Sequence, residues 1–227
     1  MYGNKIGKVI KYSQYTITGS PYLTTFAQKY NEHTIEIPTS IDINKYFIPT
    51  NSSNSEFVIG WIGTSSTSTH LTSIVKALKI FSDKNKCIIR LIGFNKKLAH
   101  LLIDLPVEII EWSEQKEVDI IQSFSVGIMP LIDAPFERGK CGFKLIQYMA
   151  CGIPTISTPL ETNIKINRDS QNLFATSTDE WVSAFEACYR NREKYALIGL
   201  KNRAIVEQYY SIQANVGKYL EVFNKIT

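Results

Sequence analysis

Residues 127–159 read GIMPLIDAPFERGKCGFKLIQYMACGIPTISTP, and the order of chemistry in that stretch is strand, basic glycine-containing loop, helix, strand. Ser125 to Met129 is a short apolar run closed by Pro130. Phe143 to Ala150 carries helical periodicity, and Gly152 with Pro154 stops the helix before a β-prone run, Thr155 to Thr158. In an open parallel sheet the first loop of such a unit sits at the carboxyl ends of the strands, where doubly wound folds bind ligands. That loop is Leu131 to Cys141, and it delivers Glu137, Arg138, Gly139, Lys140, Cys141 and Gly142 to a helix N-terminus. First-turn amides there lack partners and the helix dipole favours negative charge. Gly139 and Gly142 let the backbone approach a ligand and Lys140 adds a full positive charge. A phosphate is the natural occupant.

On the helix, Phe143, Ile146, Met149 and Ala150 recur at three- and four-residue spacings and make a core face, while Lys144 and Gln147 share another that looks into the cleft. Lys144 in the first turn suits a phosphate oxygen, and Gln147 one turn later suits a hydroxyl such as that of a ribose. A nucleoside diphosphate satisfies both.

Outward from this block the chain alternates without repeats. Helix Ile6 to Tyr12, strand Tyr15 to Thr18, helix Tyr22 to Tyr30 and strand Thr34 to Ile37 come first, and NSSNS at 51–55 reads as a linker. Strand Phe57 to Ile62, helix Leu71 to Ser82, strands Cys87 to Ile92 and Val107 to Ile110, and helix Glu114 to Ser123 lead into the block. Helices Thr178 to Arg190, Glu193 to Tyr209 and Ile212 to Lys225 follow it. Ser68 or Thr69 is expected to cap the helix at Leu71. The expected class is α/β: a doubly wound parallel sheet with a short N-terminal αβαβ segment and C-terminal helices.

The chain is 44% hydrophobic and 20% charged, with no apolar run long enough to span a bilayer and no signal-like start, so a cytoplasmic protein is expected. A net charge of +4 and a pI near 8.7 suit an anionic ligand or peripheral contact with the acidic inner face of a membrane. No nucleic-acid partner is expected, because readers of nucleic acid show a concentrated basic stripe. Cys87, Cys141, Cys151 and Cys188 lack metal-ligand spacing and read as packing thiols of a reducing compartment, with Cys141 beside the loop. No metal site and no serine–histidine–aspartate order is expected. His70 reads as a capping or packing residue.

The wording ERGKCGFK followed by QYMACG resembles the donor-binding segment of group 1 (family 4) glycosyltransferases, whose GT-B architecture has two Rossmann-like domains. VIGWIGTSSTSTHL (58–71), IIRLIGF (88–94), VEIIEWS (107–113) and SVGIMPL (125–131) resemble successive strands and loops of the family's C-terminal domain. TITGSPYLTTFAQKYN (16–31) and TIEIPTSID (34–42) resemble the end of its N-terminal domain and the crossover. Many members carry two glutamates separated by seven residues on the donor helix. Aligned on Met149, Ala150 and Gly152, those positions are Gly139 and Gln147 here. Many members also have a basic residue after the first strand, whereas this chain has none between Lys45 and Lys76. Lys140 and Lys144 are left with more of the diphosphate.

The resemblance implies a division into 1–50, a remnant of an acceptor domain and crossover; 51–56, linker; 57–210, a Rossmann-like nucleotide-sugar domain; and 211–227, a helix returning to the N-terminal domain. It implies transfer of a sugar from a nucleoside-diphosphate sugar to an acceptor hydroxyl with retention, in surface polysaccharide or glycoconjugate synthesis, without metal or cofactor. Glu137, Lys140 and Lys144 become the catalytic candidates. Gly63, Thr64, Trp112, Arg138, Gly139, Gly142, Phe143 and Gln147 become the donor-binding ones. Glu137 either pairs with Arg138 or Lys140 or faces the donor sugar. The implied partners are a nucleotide sugar, an acceptor glycan or lipid-linked glycan, and the missing N-terminal domain or a chain that supplies it. The other reading is a truncated, inactive nucleotide-sugar binding module, favoured by the short N-terminal part and by Gly139 and Gln147.

Overall fold

The computed structural model describes residues 3–48, 56–168 and 170–226, so the expected linker at 51–55 lies outside the described residues. The N-terminal part comprises α1 (Gly3–Tyr12), β1 (Thr16–Thr18), α2 (Pro21–Gln28) and β2 (Thr34–Glu36), with β1 and β2 paired in parallel. It is followed by β3 (Val58–Ile62), α3 (Ser68–Thr72), α4 (Val75–Ser82), β4 (Ile88–Ile92), β5 (Val107–Ile110), α5 (Glu117–Gln122) and β6 (Val126–Met129). Next come α6 (Pro135–Arg138), α7 (Phe143–Ala150), β7 (Thr155–Ser157), α8 (Glu161–Asn167), β8 (Leu173–Phe174), α9 (Thr178–Arg190), α10 (Arg192–Tyr209) and α11 (Ile212–Asn224). Strands β3 to β8 form one six-stranded parallel sheet in the order β5-β4-β3-β6-β7-β8. Counted from β3, this is the order of doubly wound dinucleotide-binding sheets, and its winding reverses between β3 and β6.

The run VIGWI of β3 does not alternate because every position is buried, as expected for a strand covered on both faces. Ile59 and Trp61 pack with Leu78, Phe81 and Phe185 on one side; Val58 and Ile62 pack with Val118, Ile146 and Val206 on the other. β3 and β6 stay in register only at Ile59↔Val126 and Gly60↔Gly127. Where that pairing stops, Tyr148 of α7 enters. Its hydroxyl accepts the Ile62 N–H at 2.9 Å and donates to the Ile128 carbonyl at 3.3 Å. Burial pushes this phenol well above its ordinary pKa, so it remains a donor. The mouth between the strands is held with its backbone groups satisfied.

Several local expectations are corrected. The helix expected over Leu71 to Ser82 is interrupted: α3 ends at Thr72, α4 starts at Val75, and Ile74 lies at φ −110, ψ 9. Ser73 contributes to the break, since its hydroxyl donates to the His70 carbonyl at 2.7 Å and competes for helical bonding. Ser68 and Thr69 are inside α3 rather than capping it; the N-cap is Thr67, and no side chain makes the cap bond. Ser68 instead donates to the Thr64 carbonyl at 3.1 Å and accepts the Asn95 N–H at 2.9 Å. The loop from Leu131 to Cys141 contains α6, with Pro135 preset for its first position. Short α8 and two-residue β8 have no counterpart in the sequence reading, being too brief for a periodic signal.

The N-terminal part is fastened to the sheet domain. The Ile41 N–H donates to the Tyr210 carbonyl at 2.8 Å and the Ile212 N–H to that of Ile41 at 3.0 Å. Arg203 of α10 donates to the carbonyls of Ala150 (2.8 Å), Ile43 (3.2 Å) and Tyr46. Lys165 pairs with Glu36 at 2.6 Å, and the Ser20 hydroxyl donates to the Gly139 carbonyl at 3.3 Å.

Helix α10 lies so close to the end of α7 that a Cβ on Gly199 would stand 1.9 Å from the Gly152 carbonyl oxygen. Both partners are backbone, so neither yields easily. Gly199→Ala is expected to cost about 2 kcal/mol through overpacking and to lower Tm by roughly 4–8 °C for a chain of this size. Gly217→Ala on α11, where nothing lies within 4 Å, should instead stabilise by about 0.5–1 kcal/mol through helix propensity. Thermal denaturation of both variants checks this; equal shifts would contradict the close contact.

Candidate functional site

At the carboxyl ends of β3 and β6, where the winding reverses, a cavity of about 60 Å³ is lined by Thr67, His70, Met129, Leu131, Lys140 and Lys144 among others. The chain turns into α7 through Gly142 at φ 67, and a Cβ there would stand 2.1 Å from Ile166 Cδ1. Only glycine meets both demands. No side chain caps α7; the Leu145 N–H turns back to the Gly142 carbonyl at 2.9 Å, which leaves the amides of Phe143 and Lys144 available to a ligand.

Three charged or titratable side chains meet at this mouth. Lys140 Nζ lies 3.0 Å from His70 Nε2, and Glu137 Oε1 lies 3.2 Å from the same nitrogen and 3.8 Å from the ammonium. Of the alternatives for Glu137, the geometry gives the pair with Lys140. That pair is not on the surface, the two side chains being 21% and 11% exposed. Burial lowers the pKa of Lys140, with Glu137 opposing. Burial, then the neighbouring Lys140, lowers that of Lys144, with Glu117 opposing. The site thus holds desolvated, mutually repelling cations, a condition that a bound anion relieves. His70, expected as a capping or packing residue, is part of this cluster.

A second cluster lies beside it. Glu117 is 6% exposed; its Oε1 accepts from the Tyr46 hydroxyl at 2.7 Å and from Gln147 Nε2 at 2.9 Å, and its Oε2 accepts from Trp112 Nε1 at 2.6 Å. Gln147 also donates to the Tyr46 hydroxyl at 2.9 Å. The cleft-facing placement of Gln147 is therefore corrected: it is 3% exposed and its amide is engaged inside the protein. Phe143, expected in the core, is 42% exposed. The reason is shared: α7 is covered on every side from Leu145 to Ala150, and only its first turn reaches the surface. Neither Glu117 nor Tyr46 was a sequence candidate, and no spacing marks them.

The remaining candidates are spread around the mouth. Arg138 is held by Asp133 in a two-pronged contact of 2.6 and 3.0 Å, both side chains half exposed. Each keeps the other charged, the hydrogen bond lowering the Asp133 pKa and raising that of Arg138. Gly139 offers its carbonyl to Ser20. The Gly63 N–H donates to the Ile92 carbonyl at 3.0 Å, and that of exposed Thr64 to Thr67 Oγ1 at 2.9 Å. Trp112 exposes about half of its surface while its indole N–H holds Glu117. Burial pushes the thiols of Cys87 up to about 11 and of Cys151 and Cys188 up to about 12, and the half-buried Cys141 lies near Gly19. Among the described residues no group of three or more histidine, cysteine, aspartate or glutamate side chains could hold a metal ion, and no helix is long and apolar enough to cross a membrane.

Residues 56–191 match a family model described as "Glycosyl transferases group 1". Among curated proteins, none matches the chain. Solved structures do. Sucrose-phosphate synthase from Thermosynechococcus elongatus superposes with a TM-score of 0.81 at 14% identity, covering 97% of this chain and 60% of that one. HepE of Anabaena, solved in complex with UDP-glucose, gives 0.79 at 14% identity, covering 98% of this chain and 68% of that one. The C-terminal domain of LpcC, a glycosyl transferase group 1 family protein from Francisella tularensis, gives 0.60 at 12% identity, covering 76% of this chain and all (100%) of that domain. At such identities the likeness is one of fold. The chain spans 60% to 68% of the length of the first two structures.

Proposed function

The chain belongs to the group 1 glycosyl transferases, and on that premise we propose that it binds a nucleoside-diphosphate sugar and serves the transfer of that sugar to an acceptor hydroxyl with retention. The observation that carries the reading is the pair Lys140 and Lys144, lining one cavity at the uncapped N-terminus of α7 where the sheet reverses its winding. A diphosphate placed there meets oriented amides and desolvated ammonium groups before the bond to the sugar breaks. Such preorganised positive charge stabilises the leaving group as its charge develops.

In this reading a leaving phosphate oxygen takes the acceptor proton on the same face of the sugar, and no protein nucleophile is required. Glu137 orients Lys140 rather than attacking the sugar, since its carboxylate is already paired with that ammonium. That HepE was solved with UDP-glucose supports a donor of this class. A polysaccharide or glycoconjugate hydroxyl is the proposed acceptor, presented by an N-terminal domain of the kind the longer relatives have room for.

Calorimetric titration with UDP-glucose, GDP-mannose and ADP-glucose tests the reading. One of them should bind with a dissociation constant in the range of about 1 μM to 1 mM usual for enzyme substrates, and the affinity should fall as salt screens the lysines. No binding across the panel would overturn the assignment.

A further inference from the structure

We propose that His70 takes up a proton when a diphosphate draws Lys140 away from its ring, so that the leaving group meets three positive charges rather than two. This rests on the donor reading above. It starts from a conflict in the geometry: the one ring nitrogen Nε2 faces both the Lys140 ammonium at 3.0 Å and the Glu137 carboxylate at 3.2 Å. A nitrogen that accepts from the ammonium has no proton to donate to the carboxylate, and one that donates to the carboxylate cannot accept from the ammonium. Before an anion binds, the neutral ring accepts from Lys140. His70 is only 7% exposed, and its Nδ1 is buried without a hydrogen-bond partner among the described residues. The ring is therefore governed by what happens at Nε2.

The charged groups acting on the ring are Glu137 of α6, Lys140 of the following loop and Lys144 of α7. Burial first, then the two lysines, holds the imidazole below its ordinary pKa, and Glu137 opposes them. A diphosphate between the lysines offsets their repulsion and gives the Lys140 ammonium a better acceptor. The vacated Nε2 lone pair then binds a proton from solvent, and the new N–H donates to Glu137 Oε1. One proton passes from buffer to imidazole for each ligand bound, and no other bond changes. The bound-state pKa lies above the free-state value. The contribution to affinity is therefore complete below the free value and disappears as pH rises through the bound one.

The chain has three histidines, so proton NMR follows each ring, with His70→Asn identifying the signal. His70 should titrate below the ordinary histidine range in the free protein. Its midpoint should rise by about one unit or more on saturation with whichever nucleotide sugar of the panel binds, and likewise in Lys140→Met without ligand. Calorimetry between the two midpoints, in buffers of different ionisation enthalpy, should show proton uptake that is lost in His70→Asn. An unmoved midpoint in the bound protein, or in Lys140→Met, overturns this inference alone. Failure of the whole panel to bind overturns the donor reading, and this one with it.

Discussion

Replacing Lys140 and Lys144 together with alanine is expected to weaken binding of a nucleoside diphosphate about 100-fold or more. Hydrogen bonds to charged groups contribute roughly 1.5–3 kcal/mol each, and two of them exceed the 2.7 kcal/mol or so that a 100-fold change represents. Part of that gain is offset in the free protein, where the two lysines repel one another. The loss on removing both should therefore sit nearer the lower end of the sum. Lys140→Ala alone should do less than Lys144→Ala, because it leaves His70 and Glu137 free to pair and to neutralise one another. Titration calorimetry measures both. An affinity unchanged in the double variant would remove the diphosphate from this mouth.

The largest effect on stability should come from Glu117→Ala. Glu117 accepts from Tyr46 between β2 and β3, Gln147 on α7 and Trp112 after β5. Alanine leaves these donors facing one another in a buried space. Each unsatisfied buried polar group costs about 1–3 kcal/mol, and breaking a buried charged network typically costs about 3–5 kcal/mol. With a Tm change of roughly 2–4 °C per kcal/mol in chains of this length, a fall of about 6–20 °C is expected. Glu117→Gln keeps the volume and one acceptor oxygen but turns the other into an amide NH2 that faces a donor, so it should lose less than the alanine variant. Thermal denaturation of the two variants is the check, and an alanine variant as stable as the parent would show the cluster to be dispensable.

The block from Gly127 to Pro159 was legible because its elements announce themselves with punctuation. Pro130 ends β6, Gly142 starts α7 with a positive φ, and Gly152 and Pro154 separate α7 from β7. Helix α9 keeps the bounds read from its sequence, Thr178 to Arg190, and Ser177 with Glu180 makes a reciprocal cap at its start. The faces of α7 were not legible. A period of 3.6 distinguishes a buried side from an exposed one only when the helix has both, and α7 buries six consecutive residues. Gln147 therefore read as cleft-facing when it is a core polar group. Glu117 was hidden for a different reason: its partners stand 71, 30 and 5 residues away, and no local pattern encodes such a meeting. His70 was passed over as a solitary histidine because Glu137 and Lys140 come to it from the far side of the sheet reversal.

Tyr148 sets the standing cost of ligand entry. A phenol fixed between Ile62 and Ile128 means that β3 and β6 are already apart, with their hydrogen bonds made, before anything arrives. A nucleotide then has no strand pairing to break and little backbone reorganisation to fund. Differences in affinity among ligands at this mouth accordingly report on the contacts each ligand makes, rather than on how well each one prises the sheet open.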